Sequence, residues 1–467
     1  MGKQIVVAGG GAAGMMAALS AAEEGASVTI VEHNDRVGRK ILSTGNGRCN
    51  YTNLFQSPQC YRSDENDFPW KIISRFPAEW VIRKFEEMGV MPKDKNGYIY
   101  PFSEQASAVL DVLRMELDRC GVRIVTSAHV SDILRTKKGW QVEILQGGKK
   151  KEKMNCDSVI LACGSRAASK LGNDGSGYDL AKKLGHKIIP VVPALVQLKC
   201  RENFYPSLAG VRVNGKVSIW IDGKKHGEDT GELQMNAYGI SGIPVFQISR
   251  IAAKGLYRKQ SVCAEVDFMP QLTDDAWRQM LEERKRLHPE KEMSVFFTGV
   301  FHKKLSEVLL KISGIPRMKK AGELTEAELE RLVKEGKHFR TDIIDTNPFE
   351  QAQICAGGVS TAELSAQTME SRIAKGIYFA GELVDVDGIC GGYNLHWAWA
   401  SGYLAGKGAA NAYNQSVKNT GGAYQRRIEK EGTEASRNSG NAVAGSYHSE
   451  KISGCQAQAG TLLCIHH

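Results

Sequence analysis

QIVVAGGGAAGMMAALSAAEEGASVTIVE, residues 4–32, is the stretch that decides the fold. Residues 4–8 are a short apolar run of the kind a buried strand shows, and Gly9 to Gly14 is a turn. Ala12 to Glu24 has helical composition, and Ser27 to Glu32 is a second strand-type run. Together they form a βαβ unit with Gly9-x-Gly11-x-x-Gly14 between strand and helix and an acid, Glu32, closing the second strand. Each position has a physical task. Gly9 permits the tight turn, Gly11 lets backbone N–H groups approach a pyrophosphate, and Gly14 lets the helix pack closely on the strand. The helix N-terminus adds partial positive charge for the phosphates. Glu32 can accept hydrogen bonds from both ribose hydroxyls and would repel a 2′-phosphate, which argues against NADP here. The plain alternative is a glycine-rich turn that binds nothing. A signal peptide or membrane helix would also open on such an apolar run. The interrupting glycines and the charged Glu23 and Glu24 argue against both, and no other stretch approaches the ~20 apolar residues that span a bilayer.

The remaining composition bounds the setting. A chain of 467 residues is long enough for two or three domains, at roughly 100–200 residues each. With 42% hydrophobic and 24% charged residues it is an ordinary globular protein, which excludes wholesale disorder and collagen-like repeats. Its net charge of +9, from 61 basic and 52 acidic residues, is scattered, so no nucleic-acid partner is expected. Eleven cysteines show neither CxxC nor paired Cys/His spacing. No metal site is expected, and the odd count fits a reducing, cytoplasmic setting better than a secreted disulfide framework.

Further along, Ala106–Arg119 reads as a helix, and Arg123–Thr126, Trp140–Leu145 and Ser158–Ala162 as strands, the last ending at Cys163-Gly164. From Pro190 the character changes. Lys216–Ile221 enters a hairpin turn at Asp222-Gly223, Val262–Phe268 is another strand, and 274–338 is helical, with a capping box at Thr325–Glu328. Residues 191–345 are therefore expected to be an insertion, part β and part helical. Residues 414–467 are poor in large apolar residues and are expected to be disordered.

Two more segments carry chemistry. Arg39-Lys-Ile-Leu-Ser-Thr-Gly-Asn-Gly-Arg-Cys-Asn50 sets Asn46 between Gly45 and Gly47, allowing unusual backbone angles beside basic and amide groups that suit an anionic cofactor. In 376–402 a strand ends at Ala380-Gly381-Glu382, and Gly391-Gly392 then feeds a long helix with one Ala/Ser/Gly face. Gly172–Gly177 leads into a helix but lacks a strand before it, so a separate nicotinamide domain is not expected. Cys49 has no CxxxxC partner. It could approach Cys390 in space, but two buried, unreactive thiols are the preferred reading.

Taken together these segments resemble the glutathione-reductase-type FAD proteins, and more narrowly the BaiN-like flavoproteins, also known as aminoacetone-oxidase-like. The motifs are GRKILSTGNGRCNYTN (38–53), GELQMNAYGISGIPVFQIS (231–249), TMES (368–371) and FAGELVDVDGICGGYNLHWAWASG (379–402), and the resemblance covers 1–413. His396 stands where Gln is expected in relatives. The resemblance implies an α/β fold: a Rossmann-like FAD-binding domain (1–190 and 346–413) with an inserted β-barrel-like part (191–270 and 339–345) and a helical part (271–338). It implies that Gly9, Gly11, Ala12, Ala13, Gly14, Glu32, Arg39, Lys40 and Gly47 contact the adenine dinucleotide half, with backbone contacts from Val130. Asn46, Arg48, Cys49, Asn50, Glu382, Asp387, Gly392, Tyr393, Asn394 and Leu395 are implied near the ribityl chain and ring, and Gly164 and Gly381 are expected among the cofactor-binding residues.

The resemblance also suggests an oxidoreductase of CH–CH bonds that reduces a C=C bond conjugated to a ketone, with 3-oxo-diene bile acids as one substrate class. NADH or NADPH would visit as transient donor, and the substrate would be an apolar small molecule. The carbonyl-polarising or proton-donating candidates are Tyr393, His396, Tyr238 and Arg48. The bland alternative for His396 is a packed helix histidine, and for Tyr238 a turn tyrosine. Two other functions stay open: an oxygen-using amine or aminoketone oxidase, and an FAD-binding RNA-associated module without turnover.

Overall fold

The computed structural model describes residues 2–410 except Asn66 and Lys149; the 414–467 segment lies outside the described residues. Its centre is a five-stranded parallel sheet. The strands run in the spatial order Ile377–Phe379, Ser158–Leu161, Gln4–Ala8, Ser27–Val31 and Arg123–Val125. Val6 pairs with Val159 on one side and Thr29 on the other, and the central strands are buried on both faces. That explains why they read as continuous apolar runs.

The helix Ala12–Glu23 begins at Gly11 without a side-chain cap and is buried along most of its length. What covers it is the last helix, Tyr393–Ala410. The two approach at backbone distance because the last helix carries glycine where they cross. A Cβ on Gly402 would lie 2.4 Å from the Ala13 carbonyl oxygen, and one on Gly406 would lie 2.2 Å from that of Ala17. Ser20 Oγ donates to the Tyr403 carbonyl at 3.0 Å across the same seam.

The segment 128–156, of which the sequence reading recognised one strand, is a three-stranded antiparallel meander: Ala128–Thr136, Gly139–Gln146 and Lys150–Cys156. The outer strands went unseen because one face of each is solvated and carries lysine, glutamate and arginine, which breaks the apolar run.

The chain leaves the parallel sheet through Ile188–Ala194 and returns through Ile354–Val359, which pair antiparallel. Between them lies a closed six-stranded barrel, in the order Leu198–Cys200, Gly239–Gly242, Lys224–Asn236, Arg212–Ile221, Val262–Asp267 and Phe339–Thr346. The helix Ile243–Tyr257 adds Val245, Ile248 and Ala252 to the barrel core of Val217, Ile219, Leu233 and Met235. The helices between Asp274 and Lys337 have a core of their own around Trp277, Phe296, Phe297 and Leu329. The capping box closes there as expected, with Glu328 N–H donating to Thr325 Oγ1 at 3.3 Å and Thr325 N–H donating to Glu328 Oε2 at 2.8 Å. Among the described residues, no helix is long and apolar enough to cross a membrane.

The crossing of first and last helices is a test of the architecture. Gly406→Ala would place its methyl against Ser20 and Ala17, and overpacking of this kind costs about 1–3 kcal/mol. Urea denaturation should show a lower midpoint with an unchanged slope; an unchanged midpoint would mean that the helices part without cost.

Candidate functional site

At the N-terminal end the geometry distinguishes three glycines. A Cβ on Gly14 would lie 1.9 Å from the Gly9 carbonyl oxygen, and one on Gly9 (φ +102°) would lie 2.4 Å from that of Ala162. A Cβ on Gly11 meets nothing within 4 Å. Gly9 and Gly14 are thus closed by the fold, while Gly11 faces open space at the uncapped helix start that begins with Ala12 and Ala13.

Glu32 is buried at the end of its strand. Its Oε2 accepts from Gly10 N–H at 2.7 Å, and its Oε1 accepts from the Asn34 backbone N–H at 2.8 Å and from Asn34 Nδ2 at 2.7 Å. The carboxylate therefore ties the glycine turn to the chain beyond the strand. Arg39 Nη1 donates to Asn34 Oδ1 at 2.9 Å. Ala128 N–H donates to the Glu32 carbonyl at 2.9 Å, which brings the strand bearing Val130 alongside. A group that the sequence did not announce lies beside Glu32: His33, His129 and Asp174 each offer one ligand atom, all within 4.8 Å of one another. Two imidazoles and a carboxylate suit a transition-metal ion in type, and their spacing along the chain matches no metal motif.

The loop 39–50 joins this end to the C-terminal segment. Lys40 Nζ donates to Glu382 Oε2 at 2.7 Å, and Ser165 Oγ donates to the same oxygen at 2.8 Å. Gly45, Asn46 and Gly47 have φ of +56°, +55° and +82°, and Cys49 has +58°. Two non-glycine residues in the left-handed region cost about 1–2 kcal/mol each, a cost the surrounding contacts must outweigh. Gly164 (φ +76°) lies against Asn173, and Gly381 (φ +69°) lies against Ala13 while its N–H donates to Ser401 Oγ at 3.0 Å.

Asn50 is buried, and its Oδ1 has no hydrogen-bond partner. A Cβ on Gly392 (φ +95°) would lie 2.8 Å from that oxygen, and one on Gly391 would lie 2.8 Å from the Tyr98 ring. Asn53 Nδ2 donates to the Gly391 carbonyl at 3.1 Å. The second glycine turn is thus pressed onto residues 50–53. An uncapped helix start, open space before Gly11 and an orphaned amide oxygen at the second turn fit an extended FAD running from Glu32 to Gly392.

Several expected contacts have another geometry. His396 is wholly buried. Its Nε2–H donates to the Phe76 carbonyl at 2.7 Å, and its Nδ1 accepts from Thr52 Oγ1 at 2.7 Å, the tautomer this network requires. Burial lowers its pKa to about 4, so the ring is neutral. This corrects the expectation of a proton donor, since neither nitrogen is open to a substrate. The Asn394 amide closes on Gly388, accepting from its N–H at 2.8 Å and donating to its carbonyl at 3.0 Å, so that side chain holds the loop instead of reaching outward. Asp387 is buried and accepts from Arg250 Nε at 2.8 Å, opposite Arg62 on the paired strand, while its Oδ2 has no partner. Its carboxylate thus faces the helix Ile243–Tyr257.

Tyr393 is buried edge-on to Tyr61, and burial raises its pKa; Leu395 is half-buried. Arg48 is exposed and 3.8 Å from Glu104. Tyr238 is exposed on a barrel turn and accepts from Asn347 Nδ2 at 2.9 Å. Burial pushes the Cys49 thiol up to about 12 and that of Cys390 up to about 11, and every described cysteine is free.

The model of a family described as "HI0933-like protein Rossmann domain" matches residues 3–408. The chain is 45% identical over 409 residues to the 3-dehydro-bile acid delta(4,6)-reductase of Clostridium scindens, covering 87% of this chain and 99% of that protein. It is 30% identical over 402 residues to the ribosomal RNA dihydrouridine synthase of Haemophilus influenzae, covering 85% of this chain and 96% of that protein. Among solved structures, the 3-ketosteroid-delta4-(5alpha)-dehydrogenase of Rhodococcus jostii is similar at a TM-score of 0.44 and 17% identity, over 87% of this chain and 97% of that one.

Two measurements test this geometry. Glu32→Ala should weaken FAD binding by about 10–100-fold in a titration, the loss of one or two hydrogen bonds to a charged acceptor; unchanged affinity would remove Glu32 from a ribose role. His396 binds a proton less readily folded than unfolded, so between about pH 6.5 and about 4 its contribution to stability falls as pH falls. Asp385, whose pKa burial raises to about 6, works in the opposite sense over much of that window. His396→Gln therefore isolates the histidine. Relative to wild type it should gain up to about 3 kcal/mol on going from pH 7 to pH 4 in denaturant titrations. A difference that does not change with pH would contradict a buried neutral ring.

Proposed function

The chain belongs to the HI0933-like Rossmann family, and on that premise we propose that it is an FAD-dependent reductase of a C=C bond conjugated to a ketone, acting on an apolar, steroid-like small molecule. The observation that carries this reading is the 45% identity to a bile-acid reductase across 99% of that protein's length. When bound, FAD supplies the hydride, and a nicotinamide dinucleotide replenishes it.

The chain's own residues bind and orient. The open Gly11 turn and the uncapped helix hold the pyrophosphate, Glu32 the adenosine ribose, and Lys40 with Glu382 the ribityl side. The N-terminus of the helix Tyr393–Ala410 would stabilise negative charge on a ring system bound beside it, by about 0.3–1 kcal/mol. A nicotinamide donor would visit the site transiently. Leu54, Phe55 and Tyr98 are exposed apolar side chains on the segments clasping Gly391, and they suit an apolar ring system over that turn. The reading places the protein in the cytoplasm.

One finding favours a second reading. The relatives include ribosomal RNA dihydrouridine synthases. Dihydrouridine is uridine with its 5,6 bond saturated, and that bond too is conjugated to a carbonyl. The scattered positive charge favours the small molecule over RNA.

Anaerobic mixing decides among these. NADH or NADPH should bleach the yellow protein, and a 3-oxo-4,6-diene steroid should restore the colour with a product two mass units heavier. Recovery with ribosomal RNA but not with steroid would establish the second reading. Bleaching by an aminoketone, with peroxide released in air, would establish an oxidase.

A further inference from the structure

The barrel strand Lys224–Asn236 contains Gly227-Glu-Asp229-Thr-Gly231. Alternation along a strand puts Gly227, Asp229 and Gly231 on one face, the face that continues to the buried Leu233 and Met235. A Cβ on Gly227 would lie 2.6 Å from Ile251, and one on Gly231 would lie 3.1 Å from Pro244. The helix Ile243–Tyr257 therefore lies directly over this face, and Asp229 is the one side chain between two glycines. The same helix grips the loop 387–392: Gln247 Oε1 accepts from Cys390 N–H at 2.9 Å, and Arg250 holds Asp387.

Asp229 thus stands beneath the helix that grips the loop of the Gly391-Gly392 turn. Its field reaches the Cys390 thiol, the Tyr98 phenol and the Arg62 guanidinium. It forms no ion pair among the described residues, since Arg250 is bonded to Asp387 and Arg62 lies across the strand pair from Asp387. The adjacent Thr230 backbone N–H favours its charged form. Burial raises its proton affinity by more than that N–H and Arg62 lower it. A half-buried acid without an ion pair, beneath the helix that holds this turn, is a functional candidate on physical grounds.

We propose that Asp229 is the catalytic acid, giving its carboxyl proton to the α-carbon as hydride reaches the β-carbon. The proposal rests on the enone-reductase reading. The C=C π bond breaks, and two C–H bonds form, one from hydride at the β-carbon and one from the proton at the α-carbon. The Asp229 O–H bond breaks and leaves a carboxylate that solvent reprotonates. The substrate gains two electrons, which the nicotinamide donor supplies by way of bound FAD.

The test separates the half-reactions of the FAD-loaded protein in anaerobic stopped flow. Asp229→Asn should retain its FAD and bleach with NADPH or NADH as wild type does. Its recovery with a 3-oxo-4,6-diene steroid should slow about 100-fold or more, the usual contribution of a general acid. Wild-type recovery should slow as pH rises through the Asp229 titration, recovery of Asp229→Asn should be flat over the same range, and Asp229→Glu should regain part of the rate. Tyr98→Phe controls for the neighbouring phenol. Wild-type recovery rates in Asp229→Asn, or a large loss confined to Tyr98→Phe, would overturn the assignment alone. Wild-type protein that bleaches but is not recovered by the steroid would overturn the enone reading, and this proposal with it.

Discussion

The first and last helices touch at backbone distance, and the site exists because they do. One carries the Gly9–Gly14 turn at its start and the other the Gly391-Gly392 turn. Without side chains at Gly402 and Gly406, the two N-termini are held in fixed relation by main-chain atoms. Main-chain contact leaves few rotamers to vary, so the spacing between the turns is set more rigidly than side-chain packing would set it. A dinucleotide with two ends to satisfy needs that kind of fixed span.

Around the crossing the protein buries several polar side chains and pairs most of them across long stretches of sequence. His396 bridges Thr52 and Phe76, Lys40 and Ser165 converge on Glu382, and Arg250 closes on Asp387. A buried polar group costs free energy unless it is paired, so these networks add specificity of arrangement more than stability. The exceptions are informative. Asn50 Oδ1 and Asp387 Oδ2 are buried without partners, and both lie where the loops meet. A cofactor or substrate donor would satisfy them where the fold does not.

Much of this was legible in the sequence, and the boundary is physical. The βαβ unit, the helix Ala106–Arg119 and the capping box are local, and the structure has them where the residues put them. Left-handed angles around Asn46 follow from its flanking glycines, though Cys49 shares them without such a signal. The meander strands at 128–136 and 150–156 escaped because half of each faces water. His396 could not be read correctly, because whether its nitrogens face inward depends on Thr52 and Phe76, more than 300 residues away. Asp229 was equally silent: Glu228 stands beside it in the sequence, and only strand alternation in the folded barrel sets Asp229 alone between Gly227 and Gly231 beneath the helix.

The strands Ile188–Ala194 and Ile354–Val359 lie side by side and antiparallel, so everything between them departs and comes back through one doorway. A segment that enters and leaves at one threshold needs adjacent jambs, and here the helix Ile243–Tyr257 adds clasps to Asp64, Asp387 and Cys390. The walls away from those clasps can drift in shape and lining while the Gly391-Gly392 turn stays held.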